Sequence, residues 1–162
     1  MVVRDARVSD IARIGELWEE FMEFHRVRDP WYETRDGARE TMEAWVKEGI
    51  DDPRRIVVVA ELDGEVVGYA LAELALRPPV FKVREYGAIT DTAVQAEHRR
   101  KGVGEQLVGE ITRRLVELGP SRIEVSAAMC NEVSTRFWRK MGFKPTMERL
   151  FIELARRPEA GS

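Results

Sequence analysis

Apolar residues recur along this chain with two different periods, and the changes between them mark out its elements. Val2-Val3 opens a short β-branched run over 2–6 that predicts a first strand. Ser9-Asp10 signals a helix start, and Ile11, Ile14, Trp18, Phe21 and His25 follow at helical spacing. Asp29-Pro30 breaks the pattern within 25–34, and a second helix is expected over about 36–49, with Met42, Trp45 and Val46 on its apolar side. Ile56-Val57-Val58-Val59 predicts a strand over 55–61, Asp63-Gly64 a hairpin turn, and 65–76 the return strand, ended by Arg77-Pro78-Pro79. A further strand is expected over 86–94 and a long helix over 102–118, with Val103, Leu107, Ile111, Leu115 and Leu118 on one side. A strand over 121–129, a helix over 132–141 and a last strand over 149–155 complete the series.

The order is βαα, then ββ, then β–α–β–α–β. A tight hairpin imposes antiparallel pairing early, and the later β–α–β passage imposes a parallel pair. The expected class is therefore α/β: a mixed, mostly antiparallel central sheet flanked by helices. No repeat, low-complexity block or long linker divides the chain, so one domain is expected over 1–155, with a frayed tail over 156–162.

Composition narrows the picture mainly by exclusion. The chain has 162 residues, 44% hydrophobic and 34% charged, with a formal net charge of -3. That balance offers no general attraction to nucleic acid or anionic membrane, so neither is expected as a partner. The single cysteine, Cys130, excludes an internal disulfide and a cysteine-based zinc site, and no metal is expected. Residues 1–10 are charged and no apolar run approaches a membrane span, so a cytoplasmic location is expected.

The sharpest chemical signal is Val94-Gln95-Ala96-Glu97-His98-Arg99-Arg100-Lys101-Gly102-Val103-Gly104, where a strand enters a basic, glycine-containing turn that opens the long helix. The first N–H groups of a helix lack internal partners and sit at its positive end, which makes such a turn an anion site. Gly102 and Gly104 let a ligand approach the backbone, and Arg99, Arg100 and Lys101 add charge. The alternative is a capped helix start with a solvated basic run. A phosphate-loop motif is absent, and Leu107 stands where a dinucleotide fingerprint needs its third glycine.

Arg99-x-x-Gly102-x-Gly104 resembles the Gln/Arg-x-x-Gly-x-Gly/Ala signature of the GCN5-related N-acetyltransferases. Asn131-x-x-Ser134-x-x-Phe137-Trp138-x-x-x-Gly142-Phe143 resembles that family's Asn…Ala…Tyr…Gly-Phe segment at the same spacing. The resemblance implies an acetyl-CoA-dependent enzyme that acetylates a primary amine by direct attack in a ternary complex. It implies that backbone amides of 99–104, including Val103, hold the coenzyme A pyrophosphate. It further implies that Thr92, Ala93 and Val94 pair with the pantetheine arm, in a gap where the following strand splays away, and that Asn131, Ser134, Phe137 and Trp138 line the cofactor. A homodimer is a family habit.

The chain departs from the family at two chemical positions. Trp138 replaces a tyrosine that in many relatives protonates the departing thiolate, and an indole N–H is no usable acid. Cys130 is an alternative donor, or a small buried residue. A Glu-Asp pair common in small-amine acetyltransferases is Thr90-Asp91 here. Asp91 and Glu85 are the candidate bases, with a structural carboxylate as the alternative for Asp91 and a base acting through water as another possibility. Phe21, Phe24, His25, Trp31 and Tyr86 are candidate acceptor contacts, because aromatic faces suit an amine cation. Packing between the first two helices accounts for part of that set equally well, and His98 reads as structural. The competing functions are a non-catalytic acyl-CoA-binding module and a nucleotide-binding switch.

Overall fold

The computed structural model describes residues 1–129 and 131–154. The predicted tail over 156–162, Cys130 and the end of the predicted last strand lie outside the described residues. In chain order the elements are β1 (Val2–Asp5), α1 (Ile11–Arg26), α2 (Ala38–Ile50), β2 (Arg55–Leu62), β3 (Glu65–Leu76), β4 (Glu85–Val94), α3 (Val103–Glu117), β5 (Ile123–Val125) and α4 (Glu132–Lys140). They form a five-stranded sheet in the order β1-β2-β3-β4-β5. The first three pairings are antiparallel and β4–β5 is parallel, as a hairpin followed by a helical crossover requires. Asp63 and Gly64 adopt φ of 51° and 86°, the left-handed pair that a two-residue hairpin demands.

Alternation along the strands divides the apolar residues between two faces. Val57, Val59, Tyr69, Leu71 and Ala93 pack under α1 and α2, against Ile14, Leu17 and Val46. Val58, Ala60, Ala70, Ala72 and Ile89 pack under α3 and α4, against Leu107, Ile111, Leu115 and Trp138. β4 contributes to both clusters because it carries a bulge. Leu71 opposes Asp91 but Ala72 opposes Ile89, which leaves Thr90 as an extra residue. Ile89 therefore faces α3 while Ala93, four residues on, faces α1.

Two sequence expectations are corrected. The strand expected over 121–129 is only three residues long, paired with β4 through Gly87–Ile89. Residues 149–154, expected as a strand, form no regular element. The apolar patterns in both stretches report burial preference, whereas a strand also needs a backbone partner. No helix among the described residues is long and apolar enough to cross a membrane.

Candidate active site

The short β5 creates the site. Among the described residues, the edge of β4 that faces β5 has no strand partner after Ile89, so Thr90–Val94 runs on with backbone groups open to an extended ligand. At the end of β4 the chain makes a single helical turn, Ala96–His98, then passes through Arg100 at φ 59° and Gly102 at φ 82° into α3. Two left-handed residues so close together curl the backbone into a concave nest of N–H groups. The first helical bond of α3 runs from Gln106 N–H to Gly102 O at 3.1 Å. The N–H groups of Val103, Gly104 and Glu105 therefore precede any internal partner.

Glycine matters at both predicted positions, for different reasons. Gly102 needs its positive φ, and a Cβ there would meet nothing within 4 Å, so that side of the loop is open. At Gly104 a Cβ would meet the Phe137 ring at 3.5 Å and Val94 at 3.9 Å, so α4 walls the first turn of α3 with little room to spare. Asn131 caps α4, its Oδ1 accepting from Ser134 N–H at 3.1 Å. Trp138 is only 8% exposed and donates its Nε1–H to the Ser134 hydroxyl at 3.1 Å. It packs edge-on to Phe137 and Phe143, in the core beneath α4.

The three basic side chains of the loop divide their roles. Arg99 is committed: its Nε donates to Val94 O at 2.8 Å and its Nη2 to Glu20 Oε1 at 2.9 Å. The same Glu20 oxygen accepts from Ala96 N–H at 3.1 Å. Arg13 adds a second tie from α1, to Val66 O and to Gln95 Oε1. Arg100 and Lys101 are exposed, and among the described residues they make no hydrogen bond or ion pair. Their charge is available to an incoming anion.

Asp91 lies on β4 just past the bulge, turned toward the α1 face. Its Oδ1 is sealed from solvent without a hydrogen-bond partner, and so is the hydroxyl of Tyr69. Register places Leu71 opposite Asp91 and Tyr69 opposite Ala93, so the two polar groups are diagonal neighbours on one face. Burial pushes the Asp91 carboxyl from its ordinary 3.8 up to about 7, and the nearby Tyr69 hydroxyl and Thr92 N–H restrain that rise. The Tyr69 phenol is raised well above its ordinary range, by burial first and by the Asp91 charge second.

The other predicted contacts do not all converge here. Glu85 stands at the start of β4, six residues or roughly 20 Å from Asp91 along the strand, and is exposed and paired with Arg54 at 3.0 Å. Tyr86 is half-buried beside it. Trp31 is 90% exposed. Phe21, Phe24 and His25 do come together, with ring centroids 4.2 and 5.5 Å apart, and Phe24 lies 5.5 Å from the Arg99 guanidinium. His25 is buried and its Nδ1–H donates to Phe21 O at 2.8 Å. A cleft of about 470 Å³ lies apart, between α1 and the turn before α2, and none of its lining residues belongs to β4, β5 or α3. Among the described residues, no three His, Cys, Asp or Glu side chains gather as metal ligands.

Sequence reasoning missed Tyr69 and Glu20. Tyr69 sits in an apolar strand that alternation reads as plain core, and Glu20 is one of many charged residues on α1. Its partners are 76 and 79 positions away, and no local spacing reveals them.

An anion nest beside an open strand edge, with two uncommitted cations, fits a ligand that joins a pyrophosphate to a long extended arm. A family comparison agrees. Residues 14–143 match the acetyltransferase (GNAT) family, and the chain belongs to that family. It is thus an acyl-CoA-dependent N-acetyltransferase, and its donor is acetyl-CoA. The fold is similar to a mutant of the BH1408 protein from Bacillus halodurans, with a TM-score of 0.85 at 18% identity, covering 96% of this chain and 100% of that one. It is also similar to aminoglycoside N-acetyltransferase AAC(6')-Iy in complex with CoA, with a TM-score of 0.72 at 15% identity, covering 95% and 99%. Aminoglycoside antibiotic 6'-N-acetyltransferase AAC(6')-IG from Acinetobacter haemolyticus gives 0.74 at 14% identity, covering 97% and 100%.

Proposed function

We propose that this chain acetylates a primary amine of a cationic small molecule, by direct transfer in a ternary complex, with Asp91 as the base. The observation that carries this reading is Oδ1 of Asp91, sealed from solvent without a hydrogen-bond partner, two residues past the last β4–β5 pair. When bound, acetyl-CoA supplies an activated acyl thioester. The amides of 99–104 hold the pyrophosphate, with Arg100 and Lys101 adding charge and Arg99 holding the loop to β4 and α1. Thr92, Ala93 and Val94 pair with the pantetheine arm through the open edge of β4, and Phe137 and the capped start of α4 wall its far side.

An amine is mostly protonated at pH 7 and must lose a proton before it can attack. Asp91, with its proton affinity raised to about 7, is matched to accept that proton near neutral pH. Phe21 flanks the approach from α1 and offers a ring to a cation, whereas the Phe24 ring already carries the Arg28 guanidinium at 3.4 Å. Glu85 and Tyr86, at the other end of β4, take no part. Trp138 has its N–H committed to Ser134 and gives no proton to the thiolate, which leaves as a stable anion that water can protonate. Two considerations favour a small cationic acceptor: the -3 net charge, and the aminoglycosides named as substrates of AAC(6')-Iy and AAC(6')-IG.

The test is release of free CoA thiol, followed spectrophotometrically across a panel of polyamines, aminoglycosides, amino acids and peptides. Thermal unfolding with acetyl-CoA runs in parallel, because a ligand of the folded state raises apparent stability by mass action. Acceptor-dependent thiol release with small cationic amines is the expected result. Donor binding without acceptor-dependent release would refute the transferase reading, and release with peptides alone would refute the acceptor class.

A further inference from the structure

Tyr69 is 0% exposed and clusters with Val57, Val59, Leu71 and Ala93, in surroundings that ask only for an aromatic ring. Phenylalanine would supply that ring. The hydroxyl adds a polar group sealed from solvent without a hydrogen-bond partner, which costs free energy unless a partner enters at some stage. On the same face, Oδ1 of Asp91 is in the same condition. The register sets the two residues diagonally across β3 and β4, within reach of a long side chain, and each acts on the other's proton. The ionisable groups that α1 brings to this side of the sheet are engaged elsewhere. Arg13 donates to Val66 O and Gln95 Oε1, and Glu20 accepts from Arg99 and from Ala96 N–H. His25 donates to Phe21 O, among the rings of Phe21, Phe24 and Tyr32. β2 and α2 contribute the apolar Val57, Val59 and Val46, and along β4 itself Thr92 offers its N–H to the carboxyl.

We propose that Tyr69 is a positioning residue for the transfer: its hydroxyl donates to Oδ1 of Asp91 when that carboxyl is ionised, which aims Oδ2 at the amine and sets the pH at which the base is ready. The role rests on the reading of Asp91 as the base. A hydrogen bond to the ionised form favours that form, so it opposes the rise in proton affinity that burial causes. The phenol remains a donor throughout, because burial and the Asp91 charge raise its own proton affinity well above the ordinary range. In the step itself an amine N–H bond breaks, the proton passes to Oδ2, and the freed nitrogen lone pair attacks the acetyl carbonyl. Tyr69 gives up no proton and touches neither substrate. Without its hydroxyl the carboxyl holds its proton more tightly, and the base is occupied at neutral pH.

The test is Tyr69→Phe, which keeps the ring and removes the hydroxyl, read by two titrations. Carbon NMR of the labelled aspartate carboxyls in the acceptor-free protein follows the group directly, with Asp91→Asn assigning the signal. The pH profile of kcat/KM with one acceptor follows the reaction. Loss of a hydrogen bond to a charged group corresponds to about one to two pH units. Both midpoints are expected to rise together by that amount, which lowers kcat/KM roughly 10- to 100-fold at pH 6.5 and lets it recover to within about twofold of the parent by pH 9. In the Asp91→Asn background the same substitution should change kcat/KM by less than about twofold, whereas a tyrosine that merely fills the core would lower it in both backgrounds alike. A retained acetyl-CoA-induced thermal shift reports an intact fold in each variant. An unmoved carboxyl midpoint in Tyr69→Phe overturns the proposal, and so do equal losses in the two backgrounds. A carboxyl midpoint that moves while the kcat/KM midpoint stays in place overturns the assignment of Asp91 as base, and the role of Tyr69 in the reaction with it.

Discussion

Replacing Asp91 with asparagine tests the reasoning about the site most directly, because it predicts a stability change whose sign depends on pH. The folded-state pKa of about 7 lies above the ordinary 3.8, so the folded chain holds this proton more tightly than the unfolded one. Stability from that difference is fully present below about pH 4 and is lost as pH rises through about 7. Three pH units correspond to about 4 kcal/mol in all, of which roughly 3 kcal/mol falls between pH 5 and pH 8.5. The amide introduced by Asp91→Asn does not titrate in this range and escapes that loss. Urea unfolding of parent and Asp91→Asn at both pH values is the assay. The variant should gain roughly 3 kcal/mol on the parent between pH 5 and pH 8.5, while its turnover at pH 8.5 falls by a factor on the order of 100 and the deficit narrows as pH drops below about 7. In the parent, kcat/KM should rise through an apparent pKa near 7. A stability difference that stays flat with pH within about 0.5 kcal/mol would show that burial does not hold the proton, and the assignment of Asp91 as base would fail with it.

Gly104→Leu adds a side chain toward Phe137, where a Cβ already sits at contact distance, on a helix turn whose backbone accepts leucine. Calorimetric affinity for acetyl-CoA should fall at least tenfold with the melting temperature within a few degrees of the parent; unchanged affinity would move the donor site elsewhere. Trp138→Tyr removes an indole packed between Phe137 and Phe143 and should lose about 1–2 kcal/mol of stability with kcat within twofold of the parent. A fivefold or greater rise in kcat would show that proton delivery to sulfur limits the reaction and that a phenol in that position reaches it.

Much of the fold was legible because the signals concerned were local. Asp63-Gly64 announced its hairpin since few residue pairs tolerate two positive φ angles. The apolar stripe through Leu107, Ile111 and Leu115 announced which side of α3 faces the sheet. The anion nest was legible for the same reason, its glycines and cations being adjacent in sequence. The length of β5 was not, because Ser126-Ala127-Ala128 carries no mark of having lost its neighbour. Nor was the segment over 149–154, whose alternation is that of a strand but which pairs with no strand among the described residues. The depth of Asp91 depends on Tyr69, 22 positions earlier in another strand, and on α1 lying above both. Arg99 looked like a free cation in the sequence, and only the approach of Glu20 from α1 shows it to be a fastener.

The extra residue at Thr90 means that the address of the acidic group is set by chain length as much as by residue identity. Side chains alternate with a period of two, so one added residue shifts the phase of everything beyond it by half a period. Substituting Thr90 leaves that phase intact. Deleting it would force a choice on β4. Either Asp91 and Ala93 turn into the α3 core, burying a carboxylate among Leu107 and Val108, or the register of Gly87–Ile89 slips and the contact with β5 is lost. Neither outcome keeps both the acid and the cleft, so this strand can vary in composition far more freely than in length.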